Sequence, residues 1–359
     1  MNNSRRHDVD WLRVLALGLL IFFHAHLSFQ SWASNILFIQ NDEPFEHLWF
    51  TMKMLDIWRI PLLFLVSGMG VYFAMRNRDW KELLQERTQR ILLPLIAGAF
   101  LICPISIFFS QLYYDQPISY EPNAGHLWFL ANIFLYVLLL MPLFIYQKNN
   151  PDNGFTRIID KILGYSWGLF LFPVPLMIET ALVNPEHFSG YSTSLRGLPT
   201  AHGFWYGLVC FALGFLLVSR GDLFWRAVQR TRHGALAIAS LLFLVRLLVY
   251  KLYEAPNILV AVESGFWLLA ILGYGSLYLN KPSGLLSYLN KAVFPVYIVH
   301  LPLLFGLAYF LFPLNLPAIV KLVLLLAGTL TSSLLLYEIF RRLLWLRPLF
   351  GMPIRQSSA

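Results

Sequence analysis

An all-α, polytopic integral membrane helical bundle of about ten transmembrane helices is the fold this sequence predicts, and three observations predict it. Apolar runs of about 20 residues recur along the whole chain, the length a helix needs to cross a hydrocarbon core about 30 Å thick. Hydrophobic residues make up 58% of the 359 and charged residues only 13%, more apolar surface than a soluble domain of this size needs. Lysines and arginines sort by loop, as they do in membrane proteins. The same sorting argues against nucleic acid as a partner despite the net charge of +8, because the basic residues form no single stripe.

Taken in order, the expected spans are 11–29, 50–75, 91–110, 127–147, 166–183, 204–219, 234–250, 263–279, 292–312 and 316–340. The first, WLRVLALGLLIFFHAHLSF, follows basic residues as a signal peptide would. It is too long for a signal core and no small-residue cleavage site follows it, so it reads as an uncleaved helix. Between the second and third spans, NRDWKELLQERTQR (77–90) carries Trp80, Leu83 and Leu84 in the pattern of a short amphipathic helix on the membrane surface. Pro61, Pro94, Pro104, Pro173 and Pro175 mark places where helices can break. Cys103 and Cys210 fall inside apolar runs and read as core thiols, not as a disulfide framework. No internal repeat is visible. The chain therefore divides into a cytoplasmic N-terminus (1–10), a single transmembrane domain (11–340) and a basic cytoplasmic tail (341–359).

Orientation follows from the basic residues. One set of segments holds Arg5 and Arg6, five residues from Arg76 to Arg90, Lys148, Arg157 and Lys161, four from Arg220 to Arg232, Lys281, Lys291, and Arg341, Arg342, Arg347 and Arg355; that is 20 of the 27 Lys and Arg. The opposite loops hold Arg196 and Lys251, and Arg13, Lys53, Arg59, Arg246 and Lys321 lie inside spans. By the positive-inside rule the crowded side is cytoplasmic and both termini lie there, in agreement with an even number of spans.

The ionisable residues inside spans are the candidate functional groups, because lipid penalises any such group without a partner. Arg13 and His24 are eleven residues apart, three helical turns, and share one face of the first helix. Arg13 lies at the cytoplasmic end, and His24, thirteen residues into the span, about 20 Å up the core and past the midplane. Glu179 sits thirteen residues into the fifth span at a matching depth, with Arg59 and Arg246 near in height. His126 and Glu263 mark outer mouths. His300, eight residues into its expected span, falls too far toward the cytoplasm to meet an outside ligand; it lines a path from that side or packs. Two levels of buried polar groups imply an enclosed, hydrated passage. Its inner level, rich in arginine, suits an anionic ligand, and its outer level suits a second, polar substrate.

These residues also carry a resemblance. Asp10 in DWLR with Arg13 and His24 as R-x10-H resembles the opening signature of membrane acyltransferase family 3. RIPLLFLVSG (59–68), RTQRILLP (87–94), HLWFL (126–130) and VYIVHLP (296–302) look like the family's later segments in the expected order, so the likeness spans residues 10 to 302. It looks most like the branch containing the periplasmic glucan succinyltransferase. The resemblance implies a multi-pass enzyme of the bacterial inner membrane. Such an enzyme takes an acetyl, succinyl or similar group from cytoplasmic acyl-CoA and delivers it to a hydroxyl, on an exported or envelope glycan, at the outer face. Acyl-CoA would then be a co-substrate, with no bound cofactor and no metal, and membrane lipid the surrounding partner.

Under that reading His24 is catalytic, either as the base that takes the acceptor's proton or as a nucleophile that carries the acyl group itself; the plainer alternative is a hydrogen-bonded structural histidine. Arg13, Arg87 and Arg90 bind the donor's phosphates, since guanidinium forks onto phosphate, or are ordinary cytoplasmic-side charges. Arg59, His126, Trp128 and Glu179 face the outer substrate. Against that, Asp56 and Arg59 form a plain ion pair, Trp128 belongs to an aromatic belt, and Glu179 pairs with Arg246 or Arg59 instead of orienting His24. His26 and the Ser67–Gly68 pair read as packing. A transporter or flippase of an anionic or sugar substrate is the competing class, and a member that binds acyl donors without transfer is a third.

Overall fold

The computed structural model describes residues 5–192, 197–252 and 255–353; Arg196 and Arg355 lie outside them. Among the described residues there is no β-strand. Helices α1 His7–Leu27, α2 Trp49–Met75, α3 Trp80–Tyr113 and α4 Gly125–Asn149 are followed by α5 Gly154–Gly164 and α6 Gly168–Val183. Then come α7 Ala201–Val218, α8 Asp222–Leu248, α9 Asn257–Tyr278, α10 Gly284–Leu311 and α11 Ala318–Phe340. Nine of these are long and apolar enough to cross a membrane, and α5 with α6 supplies a tenth crossing if the bent pair counts as one. The chain is a polytopic helical membrane protein.

Four expected elements differ. The expected fifth span, 166–183, is α6, which becomes α-helical only at Pro173 and meets at 119° a helix that no expected span covered, α5. It ends after Val183, where Asn184 takes the left-handed conformation (φ 46°) that commonly closes helices. The surface helix expected over 77–90 is continuous with the third span. Asp79 starts it with a capping box to Glu82, and two π-helical turns, Thr88–Leu92 and Gly98–Ile102, carry it on to Tyr113. Helices α8 and α10 start at Asp222 and Gly284, well before the expected residues 234 and 292.

The prolines explain several tertiary contacts. A proline has no N–H, so the carbonyl four residues earlier loses its helical partner and needs another in an apolar medium. Pro61 frees Ile57, whose carbonyl accepts from Ser264 of α9 at 2.7 Å. Pro104 frees Phe100, which accepts from Tyr120 at 2.7 Å. Pro302 frees Ile298, which accepts from His126 of α4 at 3.0 Å.

Small residues bring α2 and α7 into backbone contact. A Cβ placed at Gly68 would lie 1.9 Å from the Phe211 carbonyl oxygen, and one at Gly214 2.0 Å from that of Leu65. Ser67 meanwhile returns its hydroxyl to Leu63 within its own helix, so this pair is a packing device as the sequence suggested. Cys103 and Cys210 are buried free thiols. His26 packs, bonded to the Phe22 carbonyl.

The basic loops meet at one end of the bundle. Arg6 stacks on Trp225, Lys148 donates to the Arg78 carbonyl, and Arg220 grips Asp160 at 2.5 and 2.7 Å. Both limits of the described chain lie there, with Phe350 stacked on Phe340 and the His7 amide bonded to Asn280.

Candidate active site

At the end opposite the basic loops a cavity of about 1220 Å³ enters the bundle, rimmed by residues of the 30–38, 184–192 and 252–257 loops. His24, Arg59, His126 and Trp128 all line it, so four of the five outer candidates are brought together. Trp32, Trp49 and Tyr191 add aromatic faces, and Lys53, Asp56 and Arg246 add charge.

Each polar group reaches the cavity for a local reason. His24 lies seventeen residues beyond the start of α1, about 25 Å along it. His126 opens α4 through a tight turn in which Gly125 has φ +49°, a conformation costly for any residue with a Cβ. That turn tucks His126 inward, where its Nε2 donates to the carbonyls of Tyr297 and Ile298, both at 3.0 Å, while the Tyr297 hydroxyl donates back to the His126 carbonyl. Arg59 is 1% exposed, its guanidinium 3.9 Å over the Phe23 ring. Among the described residues its only acidic contact is Asp56 at 3.8 Å, and its Nε and Nη1 have no partner.

His300 is the principal correction. It lies beside His24, with 3.0 Å between His300 Nε2 and His24 Nδ1, and its own Nδ1 is 2.7 Å from the Tyr297 carbonyl. The misplacement came from the helix start: sixteen residues beyond Gly284 is about 24 Å, the same height His24 reaches on α1. The polar SYLNK stretch reads as loop by hydropathy, whereas Ser283–Gly284 is the helix-start signal that would have corrected it.

Glu179 neither orients His24 nor pairs with Arg246 or Arg59. It is buried behind the cavity wall against His202, 3.1 Å from Nδ1, and both lie beside Tyr191, which stacks on the His202 ring. Arg246 instead grips Glu263 at 2.7 and 3.0 Å, both buried, and donates to the Lys53 carbonyl. His202 had drawn no attention in the sequence, because a single histidine at a helix start carries no spacing signal.

Arg13, Arg87 and Arg90 gather near the basic end. Arg13 touches Asp10 at 3.3 Å and Asn290 at 3.4 Å, against Gly70 of α2. Arg87 stands within electrostatic reach of Arg13, Arg78 and Arg90, with Glu86 as the neighbouring acid. A hollow of about 330 Å³ at this end is lined by Arg5, Arg6, Asp10, Arg13 and Arg76, while Arg87 and Arg90 are not part of its wall. The continuous passage expected from the sequence is interrupted: the outer cavity stops at Leu20 and Leu63, the inner hollow at Val9, Gly70 and Phe73. On α1 and α2 between these levels lie the buried Leu17, Val66 and Met69.

One helix of this multi-pass bundle carries His24 into an aromatic cavity and Arg13 to an arginine cluster at the basic end, and the comparison with known families makes the protein a membrane-embedded transferase. The chain belongs to the acyltransferase family whose acyltransferase domain matches residues 6–338. It is similar to proteins named glucans biosynthesis protein C. Those of Escherichia coli O139:H28 (strain E24377A / ETEC) and Shigella dysenteriae serotype 1 (strain Sd197) are each 22% identical over 385 residues, covering 98% of this chain and 96% of theirs.

Proposed function

We propose that this acyltransferase takes an acyl group (acetyl, succinyl or similar) from cytoplasmic acyl-CoA and transfers it to a hydroxyl of an exported or envelope glycan, in the bacterial inner membrane. One observation carries the reading: a single helix presents Arg13 to an arginine cluster at the basic end and His24 to a cavity at the other. Eleven residues separate them, about 16 Å of helix. A donor whose phosphates rest on Arg13, Arg87 and Arg90 would pass its extended thiol arm between α1 and α2 and bring the thioester to His24. The name of the relatives supports a glucan acceptor. Trp32, Trp49 and Trp128 suit a sugar by stacking, and the open N–H groups of Arg59 suit an anionic oxygen.

The chemistry required of His24 is modest. The acceptor hydroxyl attacks the thioester carbonyl as its proton passes to the imidazole, and the departing thiolate recovers that proton when the C–S bond breaks. An acyl-histidine route uses the same ring as nucleophile. A transporter would need a path for the whole substrate; the buried Leu17, Val66 and Met69 between the two chambers favour transfer of an acyl group on a thin arm instead.

The test is transfer in proteoliposomes, with labelled acyl-CoA supplied to the basic face and glucan to the other. Label should appear in the glucan, and glucan flux without acyl consumption would reverse the conclusion. Replacing both Arg87 and Arg90 with alanine is expected to weaken acyl-CoA binding roughly tenfold or more, since each charge-assisted hydrogen bond is worth about 1.5–3 kcal/mol and Arg90 is half exposed. An unchanged dissociation constant would remove both residues from the donor site.

A further inference from the structure

We propose that His300 is a positioning residue for His24, a role that presupposes the acyltransferase reading above. His300 holds the His24 imidazole in the tautomer whose lone pair, on Nε2, faces the cavity, and through the Nδ1–H bond it shares the positive charge the ring acquires when a proton arrives on Nε2.

The assignment follows from which atoms can donate. A carbonyl oxygen only accepts, so the 2.7 Å contact between His300 Nδ1 and the Tyr297 carbonyl requires a proton on Nδ1. A neutral imidazole carries one N–H, which leaves His300 Nε2 as an acceptor. Its neighbour at 3.0 Å, His24 Nδ1, must therefore donate. The two rings are parallel to within 1° with centroids 5.2 Å apart. With a nitrogen–nitrogen contact of 3.0 Å, that separation places them edge to edge in one plane, as a ring-to-ring hydrogen bond requires. On neutral His24 the lone pair is then left on Nε2, which has no protein partner among the described residues, while the ring lines the cavity.

The anchor of this chain is itself held in place. The Tyr297 carbonyl also accepts from His126 Nε2, and the Tyr297 hydroxyl returns a bond to the His126 backbone. His300 is completely buried, so no water competes for its ring. Among the described residues no carboxylate bonds to either histidine: Glu179 is engaged with His202, and Asp56 lies beside Arg59. Arg59 and His126 are the other charged or titratable groups near His24. The relay is His24, His300 and a backbone carbonyl, performing the orienting task that a carboxylate performs in a serine-protease triad, without a buried negative charge.

The proton balance closes. As the acceptor oxygen bonds to the thioester carbon, its O–H breaks and the proton moves to His24 Nε2. The positive charge spreads toward His300 through the Nδ1–H···Nε2 bond, with the Tyr297 carbonyl dipole at the far end. Collapse of the intermediate breaks the C–S bond, the thiolate takes the proton from Nε2, and both rings return to neutral. In the acyl-histidine route Nε2 is likewise the only available lone pair, so His300 has the same function in either.

Full-length protein with ¹⁵N,¹³C-labelled histidine, in nanodiscs, gives the direct test. The wild-type spectrum, assigned with His24→Gln, should show His24 protonated on Nδ1. His300→Leu should redistribute that tautomer and lower kcat about 100-fold with KM for acyl-CoA unchanged; loss of an orienting partner costs 10- to 10⁴-fold in comparable sites. His300→Gln, whose amide oxygen can accept from His24 and whose amide nitrogen can donate to Tyr297, should recover roughly a tenfold part of the loss. His24 protonated on Nε2 in the wild type, or wild-type kcat in His300→Leu, overturns the proposal. If His300→Leu does not fold, the wild-type tautomer alone decides. A wild-type protein with the expected tautomer and no acyl transfer would instead refute the enzymatic reading and leave the hydrogen-bonded chain standing.

Discussion

His24→Ala is expected to lower single-turnover acyl transfer by about 10²- to 10⁴-fold, the contribution of a positioned general base, or further if the ring carries the acyl group. Binding of acyl-CoA should be unchanged, because of the arginines proposed to hold it Arg13 lies about 16 Å away along the same helix and Arg87 and Arg90 belong to α3 at the basic end. The structure explains why no neighbour substitutes. His126 is committed to two carbonyls, and His300 is sealed behind His24 with its own Nδ1 engaged. Removal of the ring leaves His300 Nε2 without its donor, a cost of about 1–3 kcal/mol, so thermal unfolding in the same detergent must accompany the assay. A folded variant that transfers at the wild-type rate would exclude His24 from the chemistry.

Arg246→Met is expected to produce the largest loss of stability, about 3–5 kcal/mol, because it strands the Glu263 carboxylate in the protein interior. Arg246 holds that carboxylate through two hydrogen bonds and reaches the Lys53 carbonyl, so one side chain ties α8 to both α9 and α2. Trp267 donates to Glu263 at 3.3 Å, too little to compensate an uncancelled charge. Adding Glu263→Leu to Arg246→Met should recover most of the loss, since replacing both members of a buried pair with apolar residues is often neutral. Denaturation midpoints of the two single variants and the double variant form a cycle. If the double variant is as unstable as Arg246→Met, the damage lies in the lost Lys53 contact and the geometry of α2.

The physics of partition is local, and that is why so much of the architecture was legible. A residue's preference for lipid or water, and the sorting of lysine and arginine between loops, are read one segment at a time. They placed nine helices near their positions and gathered the basic loops at one end. The 3.6-residue period placed Arg13 and His24 on a common face without reference to any other helix. Family likeness then carried His24, Arg59, His126 and Trp128 to one side, where the structure has them lining one cavity.

What the sequence could not decide was which buried polar groups meet. His24 and His300 are 276 residues apart, and their contact depends on where α10 begins and how it is rotated against α1. Glu179 meets His202, not Arg246 or Arg59, because α6 is short and bent from α5, so its acid faces the start of α7. The two chambers are separate where the buried Leu17, Val66 and Met69 of α1 and α2 lie between them, a matter of packing rather than composition. Partition and periodicity along the chain were determined by the sequence itself. Register and rotation between helices were set by contacts such as Gly68 on the Phe211 carbonyl and by the carbonyls that proline released, and only the tertiary structure decided the pairings that follow from them.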